Sequence, residues 1–271
     1  MTIWLAILLG LVQGLCEFLP VSSSGHLLLL QNLFGIDEGA MFFSVMLHIA
    51  TLVAVMIVYW KTVWRLVKRP VNKTVGLLLL ALVPTVIVAI LFKKVPPFTT
   101  FYENAEKGRY LGFCFLLTSV LLTLSDRLAM PGVKRRKMGE MRVTDALIIG
   151  GMQGVGVLPG VSRSGSTISG ALFAGLTRKG AADFSFLLSI PSIVGGAVLE
   201  IPDALAEGVG DIHWTCVIAG MVAAGVTGYF AILLALKAIK KKKLWGFAIY
   251  TAVLGIFVLL NQYVFHFSFV R

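Results

Sequence analysis

The sequence predicts an all-α polytopic membrane protein, an inverted-topology repeat of six transmembrane helices plus two re-entrant helix hairpins. Three observations predict it. Of the 271 residues, 58% are hydrophobic and only 14% charged, and the mean hydropathy is +0.90, far from the composition of a soluble domain. Apolar runs recur at lengths near the roughly 20 residues a helix needs to cross a bilayer. One stretch also occurs twice: Gly10, Gln13, Gly14, Val21, Ser22, Ser24 and Gly25 each fall on an identical residue after a shift of 140. Such self-similarity is read before any single motif.

The elements follow in order. Residues 2–15 form an apolar run too short to span, and residues 26–35, beyond a Pro/Ser/Gly break, form a shorter one. Two short helices around such a break predict a re-entrant hairpin over 1–36, since irregular backbone survives at membrane depth only where protein shields it. Spans are expected at 40–60, at 74–92 with a kink at Pro84, and at 110–124, separated by a basic loop and a polar loop. They complete a first repeat, 1–127. A basic linker, 128–143, carries Lys134, Arg135, Arg136, Lys137 and Arg142. The second repeat, 144–271, opens with a hairpin over 144–178. It continues with spans at 182–199 (kinked near Pro191), 213–236 and 244–265. Asp203, Glu207 and Asp211 form an acidic loop, and Lys240 to Lys243 a basic run. Phe43-Ser44 and Leu47-x-Ile49 match Phe184-Ser185 and Leu188-x-Ile190 at a shift of 141, so the duplication continues past the motif.

Charge sets the expected topology. The loops after the first, third and fifth spans, with Arg178 and Lys179, hold 18 of the 24 basic residues, and the other side holds five. That asymmetry places the 18 in the cytoplasm and both termini outside. Three spans per half is an odd number, so the second half is inverted and the two serine turns meet near the midplane. The net charge of +11 then marks cytoplasmic loops against anionic lipid, and no nucleic acid is expected. Cys16, Cys114 and Cys216 are widely spaced in apolar runs and read as packing residues. No Lys or Arg precedes Lys61, so the N-terminus lacks the basic start of a signal peptide.

Glu17 and Arg163 are the deepest charges. An ionised group at the bilayer centre costs about 2.5–3.5 kcal/mol or more, so each should face a partner or a cavity. A plain ion pair would not need the polar surround of Gln13, Gln153, Ser22, Ser23, Ser24, His26, Ser162, Ser164, Ser166 and Thr167. The pattern suits an anion. Ser24 and Ser164 are placed to cap helices whose N-termini carry free N–H groups, Gly25 and Gly165 allow close backbone approach, and Arg163 offers a planar fork for phosphate. Glu17 fits beside a phosphate if a divalent cation lies between them, and Gln13, one helical turn earlier, can share that cation. His26 reads as an acid/base group. His48 lies inside a span, and His213 and His266 at span ends; these read as packing and interfacial residues.

At these residues the chain resembles the undecaprenyl pyrophosphate phosphatase family of the bacitracin-resistance type. Gln13-x-x-x-Glu17 resembles its E/Q-x-x-x-E motif, and Pro20-Val21-Ser22-Ser23-Ser24-Gly25-His26 its first serine motif. Pro159-Gly160-Val161-Ser162-Arg163-Ser164-Gly165-Ser166-Thr167 resembles its P-G-x-S-R-S-x-x-T motif. Some members carry Glu where Gln13 stands. The resemblance spans the whole chain. It implies a bacterial inner-membrane enzyme with its site open to the outer, periplasmic face. The enzyme would remove the terminal phosphate of a C55 isoprenyl pyrophosphate with a divalent cation, Mg2+ or Ca2+, and so recycle the lipid carrier of cell-wall synthesis.

Taken together, the expected catalytic residues are Glu17, Ser23, His26 and Arg163, with Ser23 attacking phosphorus and His26 handling the proton. Direct attack by water activated on the cation is the alternative. The expected substrate-binding residues are Ser22, Ser24, Gly25, Gln153, Ser162, Ser164, Gly165 and Thr167; Gln13 and Glu17 are the expected metal ligands. The expected partners are the prenyl pyrophosphate lipid and the bilayer, with a homodimer as the oligomer allowed. The rival reading is an inverted-repeat transporter or flippase for an anionic solute or a prenyl phosphate, since broken helices in inverted repeats also build transporters.

Overall fold

The computed structural model describes residues 1–36, 39–129, 135–206, 212–241 and 244–265. Lys134, Glu207, Asp211, Lys242, Lys243 and His266, placed above in loops or at span ends, lie outside the described residues. The helices run α1 (Ile3–Phe18), α2 (Ser23–Phe34), α3 (Ala40–Val58), α4 (Trp60–Lys68), α5 (Lys73–Lys94) and α6 (Phe98–Glu106). They continue with α7 (Leu111–Leu128), α8 (Val143–Val155), α9 (Arg163–Phe173), α10 (Arg178–Ala206), α11 (Trp214–Lys240) and α12 (Leu244–Leu260). Among the described residues six helices are long and apolar enough to cross a membrane: α3, α5, α7, α10, α11 and α12 with the turn that extends it to Phe265.

Two loops expected from charge are helical. The basic loop after α3 is α4, and the polar loop after α5 holds α6. The reason for α4 is its period. Val63 and Leu66 pack on the main core. Trp60, Trp64 and Val67 form an exposed apolar stripe, and Lys61, Arg65 and Lys68 recur at i, i+4, i+7 beside it. Pro84 lies inside α5, and Pro191 and Pro202 lie inside α10, which runs on past the expected end at 199.

The short helices are built by their punctuation. Leu19 follows α1 in extended backbone, φ −72° and ψ 141°, because the next residue is Pro20 and helical conformation is disfavoured before proline. α2 closes on Gly35 in the left-handed region at φ 62°. The first turn of α8 holds a buried Asp145, which receives two hydrogen bonds from the Arg136 guanidinium, at 2.5 and 2.8 Å.

Packing crosses between the sequence halves. α1 packs against α11, and α8 against α5. Both contacts depend on an absent side chain. A methyl group at Gly10 would lie 2.2 Å from the Gly220 carbonyl oxygen, and one at Gly150 2.1 Å from that of Ala81. α7 packs on α12, α3 on α10 and α11, and α9 on α7, α8 and α10. The helix pairs α1–α2 and α8–α9 therefore pack on longer helices, and their turns face each other.

Candidate active site

The two turns are joined by reciprocal contacts. Ser24 Oγ accepts from the Gly160 N–H at 3.5 Å, and Ser164 Oγ donates to the Leu19 carbonyl at 3.1 Å. A methyl group at Gly25 would meet the Gly160 Cα at 2.9 Å and the Phe115 ring at 2.7 Å. One at Gly165 would sit 3.4 Å from Pro20. The expected close approach of backbone is thus an approach of one turn to the other.

The helix caps lie two residues before those expected. Ser22 caps α2, accepting from the Gly25 N–H at 3.3 Å, and Ser162 caps α9, accepting from the Gly165 N–H at 3.0 Å. Each capping hydroxyl also meets the next serine, Ser22 with Ser24 at 3.3 Å and Ser162 with Ser164 at 3.2 Å. Ser23 and Arg163 are consequently the first residues of their helices, not turn residues, and sit where the helix leaves N–H groups without intrahelical partners. Ser22 holds φ at 72°, alone among described non-glycine residues in being positive. That strain, of order 1–3 kcal/mol, persists only where surroundings over-determine it and is common at functional sites.

Between the turns lies Glu17, only 5% exposed. Its Oε1 accepts from Arg163 Nη2 at 2.5 Å. Its Oε2 accepts from Ser23 Oγ at 2.6 Å and from Gln13 Nε2 at 3.0 Å. Arg163 also points Nη1 at the Ser189 carbonyl of α10, 3.5 Å away. Glu17, Ser23, Arg163 and Gln13 therefore form one cluster. The first and last of these occupy successive turns on one face of α1.

Other expected residues are placed elsewhere. His26 Nδ1 lies 2.6 Å from the Ser22 carbonyl, and Nε2 lies 2.6 Å from the Tyr250 hydroxyl, so both ring nitrogens are engaged away from Ser23. Gln153 takes part in a separate group, donating to Thr85 at 3.0 Å and accepting from Ser192 at 3.1 Å. Thr167 Oγ1 meets Ser185 Oγ at 2.5 Å and donates back to the Arg163 carbonyl at 3.0 Å, supporting α9 from behind.

Two residues join the site that sequence reasoning passed over. His48 of α3 brings Nε2 to 3.5 Å from Glu17 Oε2, while its Nδ1 faces the Ser44 carbonyl at 2.8 Å. A lone ionisable residue within a span was the available signal, since such residues usually serve the site they face. Tyr250, inside α12, meets His26 and gave no comparable signal in the sequence.

The donor set fits a hard divalent cation. Gln13 is 0% exposed, and its Oε1 is buried with no hydrogen-bond partner, beside the Glu17 carboxylate. An amide oxygen, a carboxylate and a hydroxyl form an incomplete shell that phosphate oxygens can complete, the usual arrangement for Mg2+. Glu17 and Arg163 themselves meet directly.

The whole chain also resembles known proteins. The family model for bacitracin resistance protein BacA matches residues 6–257. An undecaprenyl-diphosphatase of Carboxydothermus hydrogenoformans is 40% identical over 260 residues, which are 95% of this chain and 96% of the relative. One from Halothermothrix orenii is 40% identical over 263 residues, covering 96% and 98%. Undecaprenyl-diphosphatase 4 of Bacillus thuringiensis subsp. konkukian is 41% identical over 262 residues, with the same coverage. With every motif of the two turns inside the matched region and near-complete coverage on both sides, the chain belongs to the bacitracin resistance protein BacA family.

Proposed function

We infer that the chain is an integral membrane phosphatase that hydrolyses undecaprenyl (C55 isoprenyl) pyrophosphate to the monophosphate and phosphate. One observation supports this most: a buried carboxylate, Glu17, accepts hydrogen bonds from both a hydroxyl, Ser23, and a guanidinium, Arg163, at two facing helix N-termini. Phosphoryl transfer needs little more than positioned charge, and two helix N-termini with an arginine supply it. The activity recycles the lipid carrier of cell-wall synthesis and accounts for the bacitracin resistance in the family name.

The chemistry of these residues follows from their contacts. The terminal phosphate takes the Arg163 fork, which offers paired N–H donors, and the free N–H groups of α2 and α9. Ser23 Oγ attacks the terminal phosphorus; the O–P bond forms as the bridging P–O bond to the prenyl phosphate breaks. Its proton passes to Glu17 Oε2, already 2.6 Å away, so the carboxylate takes the proton role that spacing assigns to His26. Water then hydrolyses the phosphoserine. Gln13 and Glu17 would hold the divalent cation, which neutralises phosphate charge when bound.

The setting is a bacterial inner membrane, with the α1–α2 and α8–α9 pairs entering from opposite faces as re-entrant hairpins of two inverted repeats, 1–127 and 144–271. The site opens to the periplasmic side. The test is phosphate release from a prenyl pyrophosphate by detergent-purified protein, where no gradient exists. Cation-dependent release is expected; binding without release would favour a transporter.

A further inference from the structure

His26 is held by a residue from outside both turns. A carbonyl oxygen can only accept, so the 2.6 Å contact with the Ser22 carbonyl assigns the hydrogen to Nδ1. Nε2 of the neutral ring is then an acceptor, and the Tyr250 hydroxyl lies 2.6 Å from it. The two rings are nearly parallel, 7° apart, and the Phe115 ring meets His26 edge-on at 79°. These contacts leave the imidazole one orientation and one tautomer. Tyr250 is 47% exposed, and its α12 neighbours Ile249 and Val253 are 54% and 62% exposed. Its hydroxyl therefore reaches the turn at Ser22 while its ring lies on the apolar outer face of α12.

We propose that Tyr250 is a positioning residue: with Nδ1 held by the Ser22 carbonyl, its hydroxyl fixes the direction of the His26 ring at the edge where the site meets lipid. A prenyl pyrophosphate must pass such an edge, its tail in the bilayer and its head group among the serines. Nδ1 is committed to Ser22, so His26 can act on the water that hydrolyses the phosphoserine only through Nε2, the nitrogen whose direction the Tyr250 hydroxyl sets. A phenylalanine at 250 keeps the ring packing and leaves Nε2 without that donor. The proposal rests on the phosphatase reading and on His26 serving it.

The test is a double-mutant cycle of Tyr250→Phe and His26→Gln in detergent-purified protein, following phosphate release, with 15N spectra of histidine-labelled protein beside it. Tyr250→Phe should lower kcat about tenfold, a part of the usual general acid–base contribution, with KM little changed. The double variant should be no slower than His26→Gln alone. In the spectra the His26 signal, identified by its loss in His26→Gln, should show the Nδ1–H tautomer in both proteins, with the Nε2 resonance displaced in Tyr250→Phe as its hydrogen bond is lost. Additive losses, a change in KM alone, or an unaltered Nε2 resonance would overturn the proposal. A wild-type protein that releases no phosphate would overturn the phosphatase reading instead, and the spectra would still decide the role of Tyr250.

Discussion

Arg163 Nη2 donates to Glu17 Oε1 at 2.5 Å, joining α9 to α1 across 146 residues of chain. The pair is largely buried, with side-chain exposures of 20% and 4%. Buried pairs gain little over apolar packing, while losing one partner costs about 3–5 kcal/mol. A pair of this kind is thus a poor stabiliser but a well-placed trigger, because an incoming phosphate competes for the same guanidinium.

Arg163→Lys tests that role. The charge is kept, but lysine cannot reach Glu17 and a phosphate through a planar fork. A loss of about 10²–10³-fold in kcat is expected, as for removal of one preorganised donor from an anion hole. Phosphate release by folded variant protein measures it; near-wild-type turnover would show that Arg163 is no phosphate clamp.

Glu17→Gln should abolish turnover and its dependence on divalent cation together. The amide cannot accept the Ser23 proton and is a weaker cation ligand. Calorimetric titration of Mg2+ beside the activity assay separates the two roles. Intact cation affinity with lost activity would leave Glu17 as the proton acceptor alone.

Much of this site is legible in the sequence because the serine turns are duplicated and their punctuation is local. Pro20 ends α1, and Ser22 and Ser162 begin the next helices by contacts three residues long. Spacing could not reveal where side chains turn. Ser23 and His26 are three residues apart, yet one faces Glu17 and the other Tyr250, on a helix 224 residues away. His48 was discounted for the same reason, since its partner Glu17 lies on another helix. In the loops, charge hid period: α4 carries its basic residues at helical spacing, but Lys61, Arg65 and Lys68 read first as a charge run.

The inferred topology places Lys68 and Lys137 in the cytoplasm and Lys107 outside. Single cysteines at these positions, with Cys16, Cys114 and Cys216 replaced by alanine, should differ in whole cells. Only the cysteine at 107 should react with a membrane-impermeant maleimide. Labelling at 68 or 137 from outside would reverse the orientation that the basic residues imply.

The attacking group is the sharpest question. Ser23 is 9% exposed, stands first in α2 and donates to Glu17 Oε2 at 2.6 Å. It is therefore a hydroxyl with a proton acceptor in place, at a helix terminus that favours developing negative charge. Ser22 and Ser24 have counterparts in Ser162 and Ser164, whereas Ser23 is matched by Arg163, so the two turns place a hydroxyl and a guanidinium at equivalent positions. Ser23→Ala should retain the fold and lose all but a trace of turnover. That loss alone does not prove attack, because the same substitution removes a hydrogen bond to Glu17. Trapping does. Rapid acid quench of wild-type protein with terminally 32P-labelled prenyl pyrophosphate should leave label on the peptide containing Ser23, and a chiral terminal phosphate should emerge with net retention after two inversions. Inversion at phosphorus, with no labelled peptide, would mean that water attacks directly and that Ser23 serves only to orient Glu17.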